Sequence, residues 1–444
     1  MMCLTQTFLV LLLLGLELRE VDGDCDYSPS KEYCLCTLKD EASVESLIQC
    51  IPATVFEIRG GNLEELTVLS EFTPSHPLFG LLETLSLTKL IAVDVLLPAV
   101  LLPAFLKFLS YTRVSELEFE SCTFLGTTTW DGMSGLDLPV LSLRFHNVSG
   151  TSLANTDFSS LSRWLETLQR LTVTESQLTH IPCSTGKIFK ALRFLDISGN
   201  HFQDQSLELL FCQGAFPQLQ VLKLHRNNLT SYQTTCETLH QLSNLIHLDL
   251  SHNGFSAPLS SCVWPQSLHV LNLSNTGLEY MNLSLPQNIE VLDLSSNTLH
   301  SLDLALALPL LTELYLSNNS LHAVPPMNHF PALEVLSLDG NLISRLPRDE
   351  LRSLQHLRSV KAGHNHYVCS CSGAREIQGL VSTEPIMLDW PQDYVCDSPS
   401  QYQGFLVKDV PTSTLECNRA QLGQGPTFQL FGISLSACLS AFLR

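Results

Sequence analysis

Charge is scarce in this chain. Of 444 residues only 15% are charged, and cations are the scarcer kind: 24 Lys and Arg stand against 44 Asp and Glu, a formal net charge of -20. Phosphate backbones demand a basic footprint, so nucleic acid is excluded as a partner. Attachment to anionic lipid through charge alone is excluded with it. The fingerprints of common catalysts are also missing. There is no H-E-x-x-H, no P-loop, no G-x-S-x-G elbow and no G-x-G-x-x-G turn, and the 15 histidines are scattered. No enzyme activity, metal or cofactor is therefore expected. No uncharged apolar run reaches the roughly 20 residues of a spanning helix. Disorder is excluded too, because 45% of the residues are hydrophobic.

Fifteen cysteines are present, a number that suits an oxidising compartment. The short apolar run from Phe8 to Leu16 is followed by charge, the order of a secretory signal peptide with cleavage near Gly23. At the other end Asn418 is followed by a polar stretch and then by the apolar segment Leu430 to Leu443. A small-residue site, polar spacer and apolar tail form the order of a lipid-anchor signal, with Asn418 as the attachment site. The other reading is a dispensable tail on a secreted protein. Either way the expected location is the cell surface or the extracellular fluid.

Between these ends the sequence repeats. The template L-x-x-L-x-L-x-x-N matches at Leu192 to Asn200, Leu219 to Asn227, Leu245 to Asn253, Ile289 to Asn297, Leu311 to Asn319 and Leu333 to Asn341. Weaker copies start at Leu82, Val114, Val140, Leu168, Leu268 and Leu357, which makes about twelve units over residues 82–365. Spacing between starts is 21 to 24 residues in the second half and 24 to 32 in the first. Such a template specifies an α/β leucine-rich repeat solenoid with a parallel sheet on its concave face. In each L-x-L strand the leucines point inward and the intervening residue outward. The Asn ties the turn of its coil, and Cys122 and Thr276 fill that slot in two units. One coil cannot bury its leucines alone, so the array needs caps. Cysteines cluster at both ends: Cys25, Cys34, Cys36 and Cys50 before the first unit, and Cys369, Cys371, Cys396 and Cys417 after the last. Disulfides rather than zinc are expected there, given secretion.

The stretch VCSC through LDWPQDYVCDSPSQYQGFLVKDV to LEC, Val368 to Cys417, resembles the C-terminal cap of the Toll-like receptor family. That resemblance implies the pairs Cys369–Cys396 and Cys371–Cys417. The segment LLPAVLLPAFLKFLSYTRVSELEFESCTFLG from Leu96, together with HNVSG at His146, LDLSHNGF at Leu248, CVWPQSLHVLNLS at Cys262 and the N-terminal cysteines, resembles another family. It is that of the monocyte differentiation antigen (cluster of differentiation 14), the lipopolysaccharide co-receptors. This second resemblance implies the pairs Cys25–Cys36, Cys34–Cys50, Cys183–Cys212 and Cys236–Cys262, with Cys122 left free.

The segment Phe79 to Leu109 has four charges in 31 residues. From composition alone it reads as a well-buried convex-side segment. The co-receptor resemblance implies instead an acyl-chain pocket at the N-terminal end. Its walls would be Val55, Phe56, Ile58, Leu66, Phe72, Phe79, Leu87, Val93, Leu97, Leu101, Phe105 and Tyr111. The implied function is a pattern-recognition co-receptor of innate immunity and the inflammatory response. It would receive bacterial lipopolysaccharide or lipopeptide, from lipopolysaccharide-binding protein among other sources, and deliver it to a Toll-like receptor complex. An adhesion receptor binding protein on the concave face, or a truncated Toll-like receptor relative, is the other reading. Sequons at Asn147, Asn228, Asn272, Asn282 and Asn318 are expected to carry glycans. The expected organisation is a signal peptide at 1–23, an N-terminal cap with an apolar pocket at 24–81, repeats at 82–365, a C-terminal cap at 366–418 and a removed anchor signal at 419–444.

Overall fold

A computed structural model describes residues 23–38, 50–62, 85–128, 130, 133–150, 158–255, 262–280, 285–302, 304, 306–382 and 387–412. The signal and anchor segments, Asn418, Cys417, Asn282 and the wall candidates Leu66, Phe72 and Phe79 lie outside these residues. The chain is a leucine-rich repeat solenoid. Among the described residues Leu96–Pro98, Thr123–Leu125 and Ser149–Gly150 pair in a small second sheet, while the main sheet has fifteen strands that follow chain order. The first two, Gly23–Ser28 and Tyr33–Leu38, form an antiparallel hairpin; every later pairing in that sheet is parallel.

The template explains the register. Leu195, Leu222, Leu248, Leu271, Leu292, Leu314 and Leu336 are aligned partner to partner from strand to strand. All seven are fully buried. Burying a leucine side chain contributes about 1.5–3 kcal/mol relative to exposing it, so each coil is held mainly by its neighbours. The asparagines complete the turns. Asn297 accepts from the backbone amides of Thr276 and Leu278, and its Nδ2 donates to the carbonyls of Leu273 and Leu294. One side chain thereby satisfies buried polar backbone on two coils.

A second periodic feature fixes the frame. The residue before the ladder position takes a left-handed backbone in coil after coil: Asp94, Ser121, Asn147, Glu175, Gly199, Arg226, His252, Asn275, Ser296, Asn318, Gly340 and His364 all have φ between 50° and 67°. That tight turn aims each amide at a carbonyl of the following coil, as from Ser296 to Ser317. By this marker the first unit runs from Leu87 through Leu90 and Ala92 to Val95. The start expected at Leu82 is five residues early. Its strand is Lys89–Val93, with Leu90 opposite Leu117. Ala92 and Val95 match the template less well than the leucines just upstream, which is why the earlier frame looked better in sequence.

The caps close the stack. Disulfides join Cys25–Cys36, Cys34–Cys50, Cys183–Cys212, Cys236–Cys262 and Cys369–Cys396, and Cys371 is also disulfide-bonded. The sulfurs of Cys25, Cys36 and Cys50 lie within 4.8 Å of one another. They are oxidised, and a disulfide leaves no thiolate for a metal. At the C-terminal end Asp389 accepts from the amide of Gly363 and from the hydroxyl of Tyr394, whose ring stacks on buried Tyr367. The amide of His364 reaches the carbonyl of Asp393, so the cap supplies the partner a further coil would have supplied. Among the described residues no helix is long and apolar enough to cross a membrane.

Candidate functional site

The regular ladder does not extend to the early coils. Val95, Cys122, Val148 and Ser176 hold the positions that Asn fills later. Cys122 is a free thiol, buried, with its Sγ 3.3 Å from the carbonyl oxygen of Ala92. Burial pushes its pKa up against the hydrogen bonds it makes to backbone, so it is a poor nucleophile. Aromatic residues fill the interior of these coils. Phe119 stacks on Phe145 at 5.2 Å, and Phe124 meets both rings edge-on.

Large flat rings and lengthened convex segments leave a gap. A cavity of about 150 Å³ lies among these coils, with far more apolar than polar wall. The strands Glu116–Glu120, Ser142–His146 and Arg170–Thr174 contribute Leu117, Phe119, Leu143, Phe145, Leu171 and Val173. From the convex side come Trp130, Phe158, Trp164 and the segment Leu178 to Pro182. The helix Leu102–Leu109 contributes Leu102 and Leu106. Phe158, Leu178, His180 and Ile181 are half-buried and Pro182 is exposed, so the cavity meets the surface on that side. An apolar cavity of this size suits small apolar groups. Left empty it forgoes about 3–4 kcal/mol of stability, at about 24 cal/mol per Å³.

The expected pocket walls fall elsewhere. Val55, Phe56, Ile58, Leu87, Val93, Leu97, Leu101, Phe105 and Tyr111 do not line this cavity. Leu97 and Leu101 are buried core, and Phe56, Ile58, Leu87 and Phe105 pack half-buried against core residues. Helix geometry separates the two sets of residues at the Leu102–Leu109 helix. Residues four apart share a face, so Leu102 and Leu106 reach the cavity while Leu101 and Phe105, one step back, look another way. Pro103 sits in the first turn of that helix, where no amide partner is lost. The signals for the cavity in sequence were the missing ladder asparagines, the inward phenylalanines and the wide spacing of the early units.

The outer face of the sheet is polar and largely self-paired at its N-terminal end. Lys89 pairs with Glu118 at 2.7 Å and with Glu116 at 3.4 Å. Burial alone would lower its pKa, but the two carboxylates raise it. Arg59 donates to buried Glu57, to which Tyr33 also donates. Farther along, the Arg170 guanidinium lies 4.3 Å from the centre of the Phe194 ring, and Lys223 Nζ 5.7 Å from it. Asp249 accepts from the amide and hydroxyl of Ser251. Among the sequons Asn147, Asn228 and Asn318 are exposed, while Asn272 is half-buried on a sheet strand.

The fold defines a leucine-rich repeat protein, and its early coils hold an apolar cavity. Models described as leucine-rich repeat match residues 309–366 and 244–264. The chain is similar to Toll-like receptor 2: it is 38% identical to the mouse protein over 327 residues, covering 72% of this chain and 41% of that protein. With human Toll-like receptor 2 the identity is 35% over 323 residues, covering 71% and 41%. The chain thus spans about four tenths of the length of these relatives. Among solved structures, a chain of the Drosophila Toll–Spatzle complex superposes with a TM-score of 0.52 at 19% identity, over 76% of this chain and 48% of that one, a likeness of fold alone.

Proposed function

We propose that this protein is an extracellular pattern-recognition receptor of innate immunity. It captures microbial lipid or lipopeptide by drawing acyl chain into the cavity between the Glu116–Glu120 and Arg170–Thr174 strands. The observation that carries the reading is an apolar void inside the solenoid, among its early coils. Similarity to Toll-like receptor 2 supports it, and the Toll–Spatzle structure is itself described as a hub in development and innate immunity. Hydrocarbon burial contributes about 0.8 kcal/mol per CH₂, so capture needs no basic residues. That suits a chain of net charge -20 whose Lys89 is already engaged. The role is binding and presentation, not catalysis. As a co-receptor it would accept lipopolysaccharide or lipopeptide from a carrier such as lipopolysaccharide-binding protein. A Toll-like receptor complex would be the recipient, with a lipid anchor at Asn418 holding the protein at the surface.

The test is a titration of secreted protein, residues 24–418, with fluorescent dipalmitoyl lipopeptide and with lipopolysaccharide. Saturable uptake of either, competed by free fatty acid, is the expected result. No uptake of any acylated ligand removes the reading. The adhesion reading has one observation in its favour, the cation-flanked Phe194 on the open sheet face. It would take first place if Phe194→Ala abolished binding of a protein partner while lipid uptake was absent.

A further inference from the structure

The chain has four tryptophans, and three are buried. Two of these three spend their indole N–H in the ordinary way. Trp164 donates to the carbonyl of Val140 at 2.9 Å, and Trp264 to the hydroxyl of Tyr232 at 3.0 Å. The third is Trp130, 7% exposed, in the wall of the apolar cavity. Its Nε1 is buried and has no hydrogen-bond partner among the described residues. A buried donor left unpaired has given up water and received nothing in return. Its ring is otherwise well placed, tilted against Phe158 at 6.3 Å. Hydrocarbon alone would leave that donor unpaired.

We propose that Trp130 is a specificity-determining residue whose Nε1–H donates to a carbonyl oxygen of the occupant. The ligand class is then the acyl ester or amide, a chain joined to its head group through C=O, rather than plain hydrocarbon or an alkyl ether. This inference rests on the acyl-binding reading of the cavity and deepens it. A site built around a donor rejects the analogue lacking the acceptor more strongly than an apolar wall rejects a missing methylene. Chain length would tune affinity gradually, and the carbonyl would set the ligand class.

The experiment compares two probes on the secreted chain: a dipalmitoyl glyceryl-cysteine peptide and its dihexadecyl ether twin. They share head group and chain length and differ in the carbonyls. The intact protein should prefer the ester by about tenfold in Kd, and Trp130→Phe should erase that preference by weakening ester binding to the level of the ether. Equal binding of both probes by the intact protein, or a preference that survives in Trp130→Phe, overturns the inference while the cavity reading stands. Failure of both probes to bind sinks the cavity reading itself. Should Trp130→Phe not be secreted, the intact protein labelled with ¹⁵N-tryptophan decides the matter. The Trp130 indole N–H resonance should move downfield with the ester and stay put with the ether, and an unmoved resonance overturns the inference.

Discussion

Filling the cavity should stabilise the protein and blind it at the same time. Val173 lies on the Arg170–Thr174 strand, points inward and lines the void. Replacing it by phenylalanine puts a ring where the structure has space. The void measures about 150 Å³. At about 24 cal/mol per Å³ it represents roughly 3.6 kcal/mol of unrealised packing, and a ring that fills about a third of it should return about 1 kcal/mol. Phe119 and Phe145 line the same void and offer ring faces for the new side chain. Urea denaturation followed by tryptophan fluorescence reads the stability. The fluorescent lipopeptide titration reads the binding, and Kd should rise at least tenfold as room for the chain is lost. Overpacking of an already full core costs about 1–3 kcal/mol. A Val173→Phe protein destabilised by that amount would therefore mean that the void is not there. A stabilised protein that still takes up lipopeptide with unchanged Kd would mean that the void is real but is not the binding site.

Three further outcomes follow from the same geometry. Asn297→Ala strips partners from two buried amides and two carbonyls, and should cost about 2–4 kcal/mol in urea denaturation. Cys122→Ala, at a slot with only weak thiol contacts, should cost under about 1 kcal/mol; equal costs for the two would contradict the ladder account. Removing Cys34–Cys50 by double serine substitution should lower secreted yield sharply, since losing a native disulfide typically costs about 2–5 kcal/mol, and normal yield with an unchanged melting profile would contradict it. Acid should weaken the fold in two stages. His247 is held below the ordinary histidine value of 6.5, chiefly by burial, with Lys223 acting in the same direction and Asp249 against it. Neutral in the fold, it contributes fully above the unfolded-state pKa, and the contribution fades as pH falls through the lowered folded value. For Asp249 burial acts upward, but donors from His225 and Ser251 outweigh it and the net shift is downward. Its contribution fades in turn below the ordinary carboxylate range. His247→Gln should flatten the first stage, which sets in as pH falls below the ordinary histidine pKa of 6.5, and leave the second; an unaltered slope would refute the assignment.

Much of this architecture is legible in the sequence wherever the leucines and asparagines are strict. From Leu192 to Asn365 each strand stands at its template position, because each coil repeats a buried leucine, or Val360 in the last, and the same turn. Legibility fails in the early coils for a physical reason. There Val95, Cys122, Val148 and Ser176 replace the turn-tying asparagine, so a frame five residues out still scores well at Leu82. The walls expected from sequence and the walls of the cavity are different residues. The apolar segment ending at Leu109 does reach a cavity, but through Leu102 and Leu106. Which face of a short helix turns inward depends on the strands it packs against, and composition does not carry that. Trp130 could not be singled out from sequence at all. What distinguishes it from Trp164 and Trp264 is an absent partner, a property of the folded neighbourhood.

Photo-crosslinking tests the central claim most directly. A dipalmitoyl lipopeptide with a diazirine near the end of one acyl chain would be bound to the secreted protein, irradiated, and the adducts mapped by peptide mass spectrometry. Adducts concentrated between Leu143 and Phe145 and between Trp164 and Val173 are the predicted result. Adducts confined to Val55–Arg59, or spread evenly along the chain, would contradict the account.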